Sequence, residues 1–483
     1  MPAPGVPVLE GERLPGNQRS AGQVDTGLFF GPALRGPTGR PIAIDSAAEI
    51  AYWLGDPFGG SHLHRALIAF FADGGSRAYV IRPVDNTAAV ATADVDGTGS
   101  NPVLTLTADG PGAWANSLTL DVAAGSGGRK LLTLKESGVI KVQVEAGSTE
   151  EAVGRLSTPG LVTVTAGSQA WPPTNTAANT PIAMAGGVSA DSAVTDADVI
   201  ESFAFANREL GPCTAMAPGY TSATVLDALF RFARTNGHHA LGDLPDIEDV
   251  NQLAAMGAAL RGLDSEKAGR HGQLLWPWEV VSIGPYLNVS VPPSGGLAGR
   301  MARTDRDHPK RQARAAAGPT VVSRQAIGVT RVPTDAEWDI LADAGITVIR
   351  KEPEGVCSMG AKTVVDGDRW PQYLFAAGHR TRMAIVDQAR AAVRPYLFDA
   401  LDGEGVRIET LRGVVENVCR PYSQEPRGGL YSENGDLGYL VTITSTQAEL
   451  AQGKVRIQLS LRTTPSIDMV LITFTAIAVG DRL

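Results

Sequence analysis

The chain offers few residues arranged for chemistry. Gly125-Ser-Gly-Gly-Arg-Lys130 is its nearest approach to a phosphate-cradling loop. A nucleotide loop needs Walker spacing and a Ser or Thr after the Lys to ligate Mg²⁺. Both are missing, and alternating strand-like segments flank the loop, so a hairpin turn is expected. His62 and His64 sit two apart near a helix start, where their side chains diverge. His238 and His239 are adjacent and point apart in a strand. No third ligand stands at motif spacing, so no metal site is expected. Ser294 lacks the Gly-x-Ser-x-Gly elbow and any motif-nominated His–acid pair. A Ser before a helix is normally its N-cap, worth about 1 kcal/mol. Cys213, Cys357 and Cys419 are widely spaced and form no CxxC pair, so they read as buried thiols and not as a disulfide framework or zinc ribbon. No catalytic residue and no cofactor is expected.

Two basic segments remain. Arg300, Arg303, Arg306, Lys310, Arg311 and Arg314 contain no interleaved aromatic residue, so base stacking is unsupported and a solvated helix end is expected. On a helix from Arg380 to Arg394, Ile385, Val386, Ala389, Val393 and Tyr396 fall on one side at 100° per residue. Arg380, Arg390 and Arg394 cluster on the other. A net charge of −9 argues against nucleic-acid binding. The start, Met1-Pro-Ala-Pro-Gly-Val-Pro7, has neither the basic nor the apolar region of a signal peptide. The longest apolar run, Met469 to Val479, is about half a membrane span. A soluble protein made in the cytoplasm, without membrane insertion, is expected.

These residues must be held by several domains, because 483 residues exceed one domain's usual size of ~150. Residues 1–26 read as an extended Gly- and Pro-rich arm. Residues 27–84 carry a strand at 27–30, a helix at 46–55 capped by Ser46, a helix from Leu63 to Ala72 and a strand at Arg77–Arg82. Residues 85–190 shift to Thr, Val, Ala and Gly with short alternating runs, such as Val103–Thr107, Leu118–Val122, Lys141–Val144 and Leu161–Thr165. They read as an inserted β-sandwich-like domain. Residues 191–365 alternate strand and helix, an α/β layer. Residues 366–483 add a long helix, more helix and strand, and two apolar terminal strands. The fold class is therefore mixed α/β and multidomain, with a β insertion and extended terminal arms.

Leu287 to Asp305 is the most informative stretch. It reads as a strand, a Pro-Pro stop and a helix. Val291-Pro-Pro-Ser-Gly-Gly-Leu-Ala-Gly-Arg-Met-Ala-Arg-Thr-Asp305 resembles the "VPPSG…AG…ARTD" segment of the contractile phage tail-sheath family. Further motifs follow in the family's order. They are Phe30-Gly31, Gly36-Pro37, Phe70-Phe-Ala-Asp-Gly-Gly75, Tyr79-Val-Ile-Arg82, Asp109-Gly-Pro-Gly-Ala-Trp-Ala-Asn116, Ala185-Gly-Gly187, Thr334-Asp335 and Gly360-Ala-Lys-Thr363. Ala115 replaces the usual Gly, and Met359 the usual Trp.

The resemblance implies a sheath subunit that polymerises helically, in stacked hexameric rings, around a tail tube and contracts to drive the tube through the host envelope. Its implied partners are further copies of itself, the tube protein, and baseplate and tail terminator proteins. Its implied place is the virion tail, made in the host bacterial cytoplasm. It also implies strand exchange between copies, involving Gly5, Val6, Val8 and Leu9 of the arm and Ile467, Met469, Leu471, Phe474 and Ile477 of the end. The arm reads Pro4-Gly-Val-Pro-Val-Leu9 where the family has "PGVYVEE", and Pro7 removes one ladder donor. Both alternating faces of Ile467–Val479 are apolar, so that strand needs cover on both sides. The Arg380, Arg390 and Arg394 face is the implied tube-facing surface. A phage-derived injection-system sheath is the alternative. An α/β enzyme, or a ligand-binding module using Trp114 and Trp171, is more remote.

Overall fold

The computed structural model describes residues 25–97, 101–176, 180–206, 208–262, 268–284, 287–307, 314–400, 405–424 and 428–466. The strand-exchange residues Gly5 to Leu9 and Ile467 to Ile477 lie outside them.

An eight-stranded sheet forms the centre. Its spatial order is Gly355–Met359, Ile346–Glu352, Gly272–Trp276, His239–Asp243, Thr214–Met216, Thr26–Phe30, Arg77–Ile81 and Ile42–Ile44. The inner strands pair in parallel. The two outermost strands pair antiparallel. A parallel sheet needs helices on both faces, so its strands are apolar throughout. Thr26–Phe30 and Gly272–Trp276 are buried at every position. Leu28 and Phe30 pack to one side, with helices Ala223–Asn236, Val250–Gly262 and Asp335–Asp343. Phe29 packs to the other, with helices Leu63–Asp73 and Pro293–Asp307.

The β-rich segment contains two sheets that share one apolar core. One has the order Ile182–Ala183, Leu118–Ala124, Lys130–Glu136 and Val139–Ala146; the other joins Thr92–Asp96, Pro102–Ala108 and Val162–Ala166. Residues 125–129 link Leu118–Ala124 to Lys130–Glu136 as a hairpin turn, with Gly127 and Gly128 at positive φ. That is the expected turn, not a phosphate cradle. A further three-stranded sheet joins Glu279–Gly284, Leu287–Val291 and Ala326–Val329. Beyond residue 365, helices Ala376–Val393 and Val406–Gln424 pack with a two-stranded sheet of Tyr439–Ile443 and Ile457–Leu461. The fold is mixed helix and sheet with several sheets, as the sequence indicates.

Candidate functional site

The largest fully buried side chains after Trp276 are three arginines, Arg82, Arg300 and Arg380. A guanidinium has five N–H donors and no way to discharge, so each must be met by acceptors. Each lies where separate parts of the chain meet.

Arg82 follows the Arg77–Ile81 strand. Its Nε donates to Ala33 O at 2.6 Å, and its Nη1 to Gly36 O and Pro111 O at 2.8 and 2.9 Å. Its Nη2 pairs with Asp191 at 2.6 Å. The motif glycines explain how these carbonyls converge. A Cβ on Gly110, whose φ is +128°, would sit 2.0 Å from Gly36 O. The β-rich segment is thereby tied to the central sheet.

Arg300 lies on the Pro293–Asp307 helix, 0 % exposed. Its Nη1 bonds Asp73 at 2.9 Å and its Nη2 bonds Glu279 at 2.6 Å. Asp73 also accepts from the Ser323 hydroxyl and the Arg324 N–H. Burial raises the Glu279 carboxyl, and the Arg300 charge opposes that shift. The helix reaches Asp73 because glycines let it approach the Leu63–Asp73 helix. A Cβ on Gly295 would lie 2.3 Å from Ala66 O, and one on Gly299 2.3 Å from Phe70 O. A Cβ on Gly74, at φ +121°, would lie 2.8 Å from Arg303 Cβ. The "SGG…AG…R" and "FF…DGG" motifs are thus two sides of one helix–helix contact.

Ser294 is not the cap that its position suggests. It is the second residue of the helix, and its N–H and hydroxyl both donate to Asp243, at 2.9 and 2.7 Å. The capping acceptor is the Asp243 carboxylate, from the end of a central strand. A carboxylate at a helix N-terminus satisfies free N–H groups. Complete burial pushes that carboxyl up to about 7.

Arg380 corrects a second expectation. It is 1 % exposed and forms a buried ion pair with Asp305. It therefore cannot belong to an exposed basic face. The cause is local: Ala376, Ala377, Gly378 and Ala384 are small, so the first half of the Ala376–Val393 helix sinks into the core. Arg390 is half-buried and Arg394 exposed. Val386, expected inward, is 46 % exposed. The basic run from Arg300 is likewise not a solvated face at its start. Lys310 and Arg311 lie outside the described residues.

Beside Arg380 lies a group of histidines that the sequence reading did not bring together. His239, His271 and His379 come from a central strand, the turn before the next strand, and the Ala376–Val393 helix. Ring centroids are 4.3 Å apart for His271 and His379 and 5.8 Å for His239 and His379. His239 Nε2 meets Gln273 Oε1 at 3.0 Å, and His271 Nδ1 meets His238 O at 3.2 Å. Among the described residues, His239 Nδ1 and His379 Nε2 are buried without a hydrogen-bond partner. Burial pushes His239 and His271 down to about 3, and His379 well below the usual imidazole range. All three are neutral near pH 7. Among the described residues, no group of three His, Cys, Asp or Glu is placed to hold a metal ion. The three cysteines are free and buried, as expected. No helix among the described residues is long and apolar enough to cross a membrane.

No family model matches the sequence, and no curated protein matches it. Solved structures do. The sheath tail protein from Listeria innocua superposes with a TM-score of 0.63 at 13% identity, covering 92% of this chain and 96% of that one. A sheath tail protein from Desulfitobacterium hafniense gives 0.54 at 14% identity, covering 88% and 92%. The helical sheath of the anti-feeding prophage, in its contracted state, gives 0.55 at 17% identity and covers 98% and 99%. Likeness to these three sheath subunits extends over most of both chains in each pair, and the chain has the tail-sheath fold.

Proposed function

We propose that this chain is a structural subunit of a contractile tail sheath. Copies polymerise helically around an inner tube, engage a baseplate and a tail terminator, and drive the tube through a host envelope by contracting. The observation that carries the reading is the end-to-end likeness to a sheath in its contracted state. The work comes from new contacts between copies, not from a reaction, and the protein acts in the virion tail after synthesis in the host bacterial cytoplasm. An extracellular injection-system sheath, also matched over 98% of both chains, is the second reading. The presence or absence of a phage head on native particles separates the two.

Strand exchange links the copies in this proposal. Among the described residues, the sheet of Tyr439–Ile443 and Ile457–Leu461 has two strands, fewer than are stable alone. Among those residues both outer edges offer ladder groups to added strands. An open cleft of about 880 Å³, lined by Phe375, Tyr431, Tyr439, Leu461 and Pro465, runs beside it. The arm around Gly5–Leu9 and the end around Ile467–Ile477 are the proposed additions, exchanged between copies. Head-to-tail exchange that does not close gives a helix. Arg390 and Arg394 remain the proposed tube-facing charges, with Leu397 and the 85 % exposed Phe398 on the following turn.

Negative-stain microscopy of the purified protein tests the reading. Hollow, striated cylinders are expected. A protein that stays monomeric at high concentration, with and without tube protein, would overturn it.

A further inference from the structure

Two arginines stack on one tyrosine beside the histidine group. The guanidinium carbons of Arg270 and Arg382 lie 4.6 and 4.5 Å from the Tyr373 ring centroid. Arg369 extends the cluster, 5.6 Å from the Trp370 ring centroid, and the Trp370 and Tyr373 rings are 6.3 Å apart.

The cluster is held in place by backbone. Val364 N–H donates to Gly269 O and Gly272 O at 3.1 and 2.9 Å, which fixes the turn carrying Arg270. Thr363 N–H donates to Leu374 O, and the Thr363 hydroxyl to Tyr373 O, which fixes Tyr373. Arg382 stands on the Ala376–Val393 helix. Three segments thus bring the groups together without a flexible loop to let them part.

What the cluster lacks is an acid. Among the described residues, Arg270, Arg369 and Arg382 form no ion pair, and Arg382 Nε and Nη2 are buried without a hydrogen-bond partner. The carboxylates beside Arg369 in sequence, Asp368 and Asp366, are both exposed, and Asp366 accepts the N–H groups of Asp368 and Arg369. A buried N–H left unmade is costly, and an aromatic face relieves a guanidinium only in part. Burial also pulls the Arg382 guanidinium down to about 10. A carboxylate entering this cluster makes charge-assisted bonds to donors already in position.

We infer that the Arg270–Tyr373–Arg382 cluster receives a carboxylate from a second copy of this chain, an inference that rests on the self-assembly proposed above. Charge complementarity favours a second copy. The chain carries a net charge of −9. Its Asp335–Asp343 helix presents Asp335, Asp339 and Asp343 exposed, four residues apart. Each copy therefore offers surplus carboxylates where another offers unmet donors.

The test compares wild type with an Arg270→Gln/Arg382→Gln variant at low salt. The variant should need at least tenfold more protein to form cylinders, while its monomer melts as wild type does. Equal concentration dependence would overturn the inference. If wild type forms no cylinders, the self-assembly reading falls and this one falls with it. A second measurement covers a variant that folds poorly. A photo-crosslinking residue at exposed position 369, in cylinders mixed from ¹⁴N and ¹⁵N subunits, should give mixed-isotope crosslinks to an Asp- or Glu-containing peptide. Crosslinks of a single isotope only, or none, would show that the acid is not another copy's.

Discussion

Arg380 and Asp305 form an ion pair with both side chains almost wholly buried, 75 residues apart in sequence. The pair locks the Ala376–Val393 helix onto the Pro293–Asp307 helix. The latter is in turn locked through Arg300 to Asp73. One seam of buried charge thus runs from the helix ending at Asp73 to the first helix of the C-terminal part. Such pairs fix geometry more than they add stability, because desolvation offsets most of the attraction. In the proposed contraction, a subunit that moves as a unit would use that fixed geometry.

Removing Arg300 should be severe. Arg300→Met leaves Asp73 and Glu279 buried without their cation, and a loss of about 3–5 kcal/mol in urea unfolding is expected. The triple replacement Arg300→Met/Asp73→Leu/Glu279→Met should recover much of that loss. If the triple variant is as unstable as the single one, packing and not charge is what Arg300 provides.

Gly299→Ala tests the close helix contact. Its Cβ would fall 2.3 Å from Phe70 O, a backbone atom that cannot swing aside. A loss of about 1–3 kcal/mol is expected. Gly413→Ala, at a helical glycine with open space around its Cβ, is the control and should be neutral or stabilising. Equal behaviour of the two variants would mean that the helices part easily.

Acid sensitivity should map to the histidine group. Folded His239, His271 and His379 titrate far below the unfolded value near 6.5. Below pH 6.5 the unfolded chain takes up protons that the folded chain refuses, so stability falls as pH drops toward 3. Each histidine contributes up to about 1.4 kcal/mol per pH unit in that window. Asp243 and Asp305, raised to about 7, act in the opposite sense: their contribution is fully present below about pH 4 and lost as pH rises from about 4 to 7. Comparing wild type with His379→Phe isolates one imidazole. The variant should lose less stability between pH 6.5 and 4.5, measured by thermal melting. Parallel curves would assign acid lability elsewhere.

The two ends of the Ala376–Val393 region should behave differently. Arg380→Gln leaves Asp305 buried alone and should lower the monomer's melting temperature. Arg390→Glu/Arg394→Glu, at a half-buried and an exposed position outside any buried ion pair among the described residues, should leave stability within about 1 kcal/mol. It should weaken co-assembly with tube protein, in a salt-sensitive way. Unchanged co-assembly at low salt would show that this face is merely solvated.

Deleting residues 1–16, or those after Pro465, should abolish cylinders. The first truncation should leave a folded monomer by circular dichroism. Cylinders of normal diameter from both truncations would sink the strand-exchange proposal.

Much of the architecture was legible in the sequence, because period and punctuation are local. His239–Asp243 and Leu287–Val291 are strands at the positions their apolar patterns indicate, and Leu63–Asp73 is a helix ended by Gly74. The order of motifs was legible too, and it indicated the tail-sheath fold. The roles of the motif residues were not. Sequence periodicity treats an arginine as a charge facing water, and so it put Arg300 at a solvated end and Arg380 on an exposed face. Their burial depends on carboxylates more than twenty residues away in sequence, and on glycines and alanines that let helices close over them. Those small residues, Gly295, Gly299, Ala377 and Gly378, were the one local sign. Likewise, Ser294 looked like a cap because Asp243 is distant in sequence, and the histidines looked unrelated because three elements carry them. Which charges meet, and which are removed from water, is decided by which distant segments pack together, and tertiary structure alone supplies that.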